Sequence, residues 1–115
     1  MALLPERENA ILHTAKVRDY LLNPDHPVGG SKAAFFAAFG FSQDKWHVMR
    51  DALIEHAKIT EIVTTQQKKH GVTYNLEGAL VSPDGRNPII VSVWQIDTGT
   101  TLPRFITAFP AKNTR

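Results

Sequence analysis

The sequence contains no cysteine. That absence excludes disulfides, thiolate zinc sites and a cysteine nucleophile together. Nor does any apolar run approach the ~20 residues that a membrane-spanning helix requires. The opening residues, MALLPERENA, carry acid where an export signal would carry a basic end and an apolar stretch, so no such signal is expected. The expectation is a cytoplasmic protein that does not touch the membrane. Signature loops are missing too: there is no Walker loop, no dinucleotide-binding glycine pattern, no HExxH and no GxSxG elbow. The histidines, His13, His26, His47, His56 and His70, have no metal-ligand spacing. His47 and His56 share one predicted helix but lie about 180° apart around its axis, at ~100° per residue. Neither a metal nor a cofactor is expected.

What is present is an ordinary globular composition. With 115 residues and 43% hydrophobic content, the chain is long enough to bury roughly two thirds of the surface it exposes when unfolded. One domain over residues 1–115, with a core over about 10–110, is therefore the expectation. The net charge of +2 is unevenly placed. Residues 1–57 hold six Lys/Arg against seven Asp/Glu, and residues 58–115 hold seven against four. The second half is the one to which a polyanion would be drawn.

Turn residues divide the chain into a helical half and a strand half. Residues 14–22 read as a short helix with Val17, Leu21 and Tyr20 on one side, ended by Asn23-Pro24-Asp25. Ser31 is a good N-cap for KAAFFAAF, which Gly40 stops. Ser42 is predicted to cap a third helix, in which Trp46, Met49, Leu53 and Ala57 form one buried stripe. Strands are predicted over 59–65, 72–80, 89–96 and 104–109, with 66–71 as a polar turn and 89–96 central because it is apolar on both faces. Short links favour an antiparallel meander. The fold class is α+β: two or three N-terminal helices packed on one face of a roughly four-stranded antiparallel sheet.

Two places carry candidate chemistry. The first is His26-Pro27-Val28-Gly29-Gly30-Ser31-Lys32, a loop that opens a helix. A helix start suits an anion, Gly29 and Gly30 would let a phosphate approach the backbone, Lys32 adds a point charge, and His26 can move protons near neutral pH. The plain alternative is a tight bend beside a solvated lysine. The second place is the last strand, where Phe105, Thr107 and Phe109 would share one face and Arg104 and Ile106 the other. Thr107 and Arg104 could bind phosphate oxygens, or could simply fill the sheet. Tyr74 and Trp94 are placed to stack on bases if they face outward, although strand aromatics usually belong to the core. Lys68-Lys69-His70 reads as a charged hairpin tip.

The string Arg18-Asp19-Tyr20-Leu21-Leu22, then His26-Pro27-Val28-Gly29 and Lys32-Ala33-Ala34-Phe35-Phe36, then Phe39-Gly40-Phe41, resembles a bacterial family of small uncharacterised domains with a YLL…HPxGxxKAxFFxxLGF block. Val93-Trp94-Gln95-Ile96 and the closing Pro103-Arg104-Phe105-Ile106-Thr107-Ala108-Phe109-Pro110 complete the resemblance over roughly residues 10–110. Phe39 and Phe109 depart from its usual leucine and tyrosine, so a tyrosine hydroxyl is missing at the second position. That family is similar to the Barnase–EndoU–Colicin–RelE (BECR) fold group. The similarity implies N-terminal helices before a four-stranded antiparallel sheet, a metal-independent toxin-type RNA endonuclease acting by 2′-hydroxyl attack, and a small antitoxin- or immunity-like partner. On that reading His26 is the acid or base, Lys32 stabilises charge, Arg104 holds the scissile phosphate and Thr107 donates to it. The alternative is a non-catalytic interaction module, one component of a toxin–antitoxin-like pair. Neither reading fixes the oligomeric state.

Overall fold

The computed structural model of the protein describes residues 2–111. Helix α1 (Thr14–Lys16) runs straight into a π-helical turn, Val17–Leu21, closed by the Leu22 amide donating to the Val17 carbonyl at 3.0 Å. The widened turn still aims Val17 and Leu21 into the core, where both are fully buried. Helix α2 (Gly30–Ala37) begins one residue ahead of the predicted cap: Gly29, not Ser31, precedes it. It stops where expected, with Gly40 at φ +100° and the Phe41 amide reaching back to the Phe36 carbonyl at 3.3 Å. Helix α3 (Trp46–Ile59) buries Met49, Leu53 and Ala57 completely, whereas Trp46, the first member of the predicted stripe, is only half-buried. Ser42 does not cap it directly. Its hydroxyl accepts the Lys45 amide at 3.2 Å and fixes the turn that leads into the helix.

Four strands follow: β1 (Ile62–Lys68), β2 (Gly71–Ala79), β3 (Ile89–Asp97) and β4 (Arg104–Pro110). They form one antiparallel sheet in the order β1-β2-β3-β4. The fold class read from the sequence is the observed one. β3 is central, and Ile90 to Trp94 are all buried. β1 lies three residues later in the chain than predicted. Gln66, Gln67 and Lys68 pair with Thr73, Val72 and Gly71, leaving Lys69 and His70 as the turn. These polar residues are tolerated in a strand because β1 is an exposed edge. Leu76, Leu80, Ile90, Trp94 and Phe105 meet the buried faces of the helices in one core.

The segment before α1 also belongs to this core. Leu3 bridges Glu61 beside β1, and Ile11 bridges Arg104 on β4, with the Ile11 amide on the Pro103 carbonyl and the Phe105 amide on the Ile11 carbonyl, both at 2.8 Å. Leu4, between them, is fully buried. The packed region thus begins ahead of the boundary near residue 10 expected from the sequence. No helix among the described residues is long and apolar enough to cross a membrane.

A polar chain runs through this apolar interior. The Trp94 Nε1–H donates to the Ser92 hydroxyl oxygen at 2.9 Å. The Ser92 hydroxyl meets His56 Nδ1 at 2.8 Å, and His56 Nε2 meets the Gly78 carbonyl at 3.1 Å. A carbonyl only accepts, so Nε2 carries the ring hydrogen and Nδ1 accepts from Ser92. Burial pushes the His56 imidazole below its ordinary pKa, with the Gly78 hydrogen bond opposing part of that effect. His56 is therefore a neutral core residue that ties α3 to β2 and β3.

Candidate functional site

Three segments distant in sequence meet beside the edge strand β4: the π-helical turn, the first turn of α2, and β4 itself. Tyr20 comes from the first, Lys32 from the second and Thr107 from the third. The Lys32 ammonium donates to the Tyr20 hydroxyl at 2.7 Å and to the Thr107 hydroxyl at 2.9 Å. The two hydroxyls lie 3.1 Å apart, within hydrogen-bonding distance. All three groups are partly buried, which strengthens each contact relative to water.

The strand presents Thr107 through a β-bulge. The β3–β4 register slips between Val93 and Trp94, so Trp94 faces Phe105 while Val93 faces Thr107, leaving Ile106 unpaired. The extra residue breaks strict alternation. Phe105 and Ala108, not Phe105, Thr107 and Phe109, are the buried pair, and Ile106 and Thr107 both line the same groove. The single face predicted for Phe105, Thr107 and Phe109 is thereby corrected.

That groove has a volume of about 750 Å³ and is lined by His13, Ala15, Lys16, Tyr20, His26, Val28, Ile106 and Thr107. Lys16 and Lys32 stand 5.7 and 5.1 Å from the Tyr20 ring centre. His26 meets the same ring edge-on, with centroids 5.0 Å apart. Burial pushes the Tyr20 phenol up. The hydrogen bonds from Lys32 and Thr107, together with the charges of Lys32 and Lys16, outweigh that effect, and the phenol pKa lies below its ordinary value.

The His26 loop is held by its own side chain. Nδ1 accepts the Val28 and Gly29 amides, each at 3.0 Å, so the hydrogen of the neutral ring sits on Nε2. The Gly30 amide in turn donates to the His26 carbonyl at 2.9 Å. These amides are spent within the loop and do not form an open cradle for a phosphate, which corrects the predicted ligand-binding role of Gly29 and Gly30. The glycines instead allow close packing. A Cβ at Gly29 would overlap the Tyr20 carbonyl oxygen and lie 2.9 Å from the Tyr20 ring, and one at Gly30 would lie 2.7 Å from the Pro24 carbonyl. Gly29→Ala is accordingly expected to destabilise the fold by about 1–3 kcal/mol, the usual range for overpacking. A denaturant midpoint equal to that of the parent protein would contradict this account of the loop.

Other sequence candidates lie outside the cluster. Arg104 grips Asp97 with Nε at 2.7 Å and Nη2 at 3.1 Å, so its fork is already occupied by a carboxylate, which it holds below the usual carboxylate range. Trp94 is fully buried against Phe105 and has no face left for a base. Tyr74 is half-buried against the core, where it pairs across from Trp94. Among the described residues no three His, Asp or Glu side chains gather in a way that could hold a metal ion. Tyr20 is the member that sequence reasoning assigned only to a helix face. The signal that could have raised it was its place four residues after Lys16, where a helical turn sets a cation over the ring.

A small α+β protein with helices before an antiparallel meander, and a groove bordered by a tyrosine–lysine–threonine triangle, defines the class. The chain belongs to the family described as "Domain of unknown function (DUF6883)", whose model matches residues 3–112. No curated protein matches the sequence at a significant level. Among solved structures it is similar to a chain of a contact-dependent growth inhibition toxin–immunity protein complex from Klebsiella pneumoniae 342, with a TM-score of 0.70 and 16% identity over 88% of this chain and 99% of that one. At that identity the likeness is one of fold.

Proposed function

We propose that this protein is the nuclease component of a toxin–immunity type system: a metal-independent RNA endonuclease of BECR-like fold that cleaves by attack of a ribose 2′-hydroxyl on the adjacent phosphate. The single observation that carries the reading is that Tyr20, Thr107, His26, Lys16 and His13 line one groove, with Lys32 hydrogen-bonded to both the Tyr20 and the Thr107 hydroxyls. Such a reaction needs a cation and hydrogen-bond donors where charge develops on the phosphate, and a group to take the attacking proton. Lys32 supplies the cation, and Thr107 steadies it by accepting one of the ammonium hydrogens at 2.9 Å. His26 offers its Nε2–H as a donor. Lys16 and His13 line the path of the RNA backbone. Arg104, whose Nε and Nη2 hold Asp97, keeps its remaining N–H groups for the scissile phosphate. The fold likeness to a chain of a toxin–immunity complex supports placement in such a system, and a small inhibitory partner protein follows from that placement.

The test is degradation of single-stranded RNA by the purified full chain with chelator present. Cleavage is expected, with products ending in 2′,3′-cyclic phosphate. Expression without a partner is expected to arrest growth, and His26→Ala and Lys32→Ala variants that remain folded are expected to relieve the arrest. Intact RNA in the presence of folded protein would overturn this reading and favour a non-catalytic interaction module.

A further inference from the structure

Attack by a 2′-hydroxyl requires a base that removes its proton, and the geometry denies that role to His26. The Nδ1 lone pair of that ring already accepts the Val28 and Gly29 amides, and Nε2 carries the hydrogen. The Lys32 ammonium has only hydrogens to offer. Tyr20, which lines the groove, has a hydroxyl oxygen that accepts from Lys32 at 2.7 Å and lies 3.1 Å from the Thr107 hydroxyl.

Resting on the nuclease reading above, we infer that Tyr20 is the general base of the reaction, acting as a phenolate that Lys32 and Thr107 hold in place. When Tyr20 is ionised, the Lys32 N–H and the Thr107 O–H both donate to its oxygen. When it is neutral, its own hydrogen competes for Thr107. The triangle therefore favours the charged form, and the lowered phenol pKa agrees with the geometry. Lys16, over the same ring, adds positive charge from the other segment of the turn. A phenolate oxygen has room for a third hydrogen bond, and the groove is the side from which a ribose hydroxyl would make it.

The step balances as follows. The 2′-O–H bond breaks and its proton moves to the Tyr20 oxygen. The 2′-oxygen forms a bond to phosphorus. The bond from phosphorus to the 5′-oxygen breaks, and its electron pair leaves on that oxygen, which takes a proton from water. The products are a 2′,3′-cyclic phosphate and a 5′-hydroxyl, and Tyr20 returns its proton to solvent.

The experiment follows cleavage of a short single-stranded oligoribonucleotide, with chelator, across pH 5–10, for the full chain and three variants. Tyr20→Phe keeps the ring and loses only the hydroxyl. It is expected to lose about 10²–10⁴-fold in rate, the usual worth of a general base. Its affinity for the matching oligodeoxyribonucleotide, which lacks the attacking hydroxyl, is expected to stay within about threefold of the parent. Lys32→Met is expected to move the rising limb of kcat/KM to higher pH, a displacement that a purely structural lysine would not produce. Should Tyr20→Phe fail to fold, the Lys32→Met profile alone decides the outcome. If Tyr20→Phe cleaves at the parent rate while His26→Ala does not, the base lies elsewhere and the nuclease reading survives. If the Lys32→Met limb does not move, the phenolate role is overturned. If the parent protein cleaves no RNA at all, both the reading and this inference fall together.

Discussion

Alanine in place of Trp94 is expected to cost the fold about 3–5 kcal/mol, the range for removing a large aromatic side chain from a core. The ring is fully buried, lies 5.2 Å from the Phe105 ring at an interplanar angle of 70°, and donates its Nε1–H to Ser92. Truncation would leave a cavity and remove one donor from the buried polar chain. Against a total stability of about 5–15 kcal/mol for an ordinary domain, such a loss brings the denaturant midpoint down steeply. It also bears on function. Phe105 is the residue of β4 just before the bulge, and it is the bulge that sends Ile106 and Thr107 to the groove. Loosening the Trp94–Phe105 contact therefore loosens Thr107. The competing expectation, that Trp94 stacks on a base, predicts the opposite pattern: unchanged stability with weaker RNA binding. Equilibrium unfolding of Trp94→Ala beside its RNA affinity separates the two, and an unaltered midpoint would refute the core role.

The parts of this structure that the sequence reveals are those where one local pattern decides the outcome. Met49, Leu53 and Ala57 recur at helical spacing and are buried together. Ile89 to Ile96 is apolar on both faces and becomes the central strand. The misses share a physical cause, namely pairing between residues far apart in the chain. Nothing near Leu3 tells that it will bridge Glu61, so Leu4 does not look like core. Nothing within β4 announces a slip opposite Val93 and Trp94, so strict alternation puts Thr107 on the face of Phe105. At the candidate site, the His26 loop and the last strand, both singled out from the sequence, line one groove, but the residue that joins them was not legible. Tyr20 joins the cluster only because the π-helical turn, α2 and β4 converge on its oxygen. Arg104 illustrates the converse. Its carboxylate partner, Asp97, lies across the β3–β4 connection, and no rule of spacing reserves an arginine for it.

Acidification is expected to weaken the fold in two separate windows, the first belonging to His56. Burial depresses its pKa in the folded protein, whereas in the unfolded chain a histidine titrates near ~6.5. Between those two values the unfolded state binds more protons than the native state, so stability rises with pH there. The sign follows directly: the stabilisation is complete above about pH 6.5 and drains as pH falls below it, at up to ~1.4 kcal/mol per pH unit. The second window belongs to the carboxylates. Arg86 holds Asp84, and Arg104 holds Asp97, below the ordinary carboxylate range. Their contribution is present above about pH 4 and is lost only below it. A His56→Gln variant isolates the first window. Its amide can donate to the Gly78 carbonyl but cannot take up a proton, so the slope between pH 6.5 and 4.5 should flatten while the loss at lower pH persists. Ser92→Ala should act differently, leaving both His56 Nδ1 and Trp94 Nε1 without a partner. At about 1–3 kcal/mol for each buried group left unsatisfied, it should lower stability at every pH. With the acceptor on Nδ1 left bare, a proton there also becomes less unfavourable in the folded state, so the acid slope should shrink as well. Denaturant unfolding from about pH 2 to 8 on the parent and both variants measures both windows directly. A parent profile that stays flat across pH 6.5 to 4.5 would mean that His56 is not held neutral by the core.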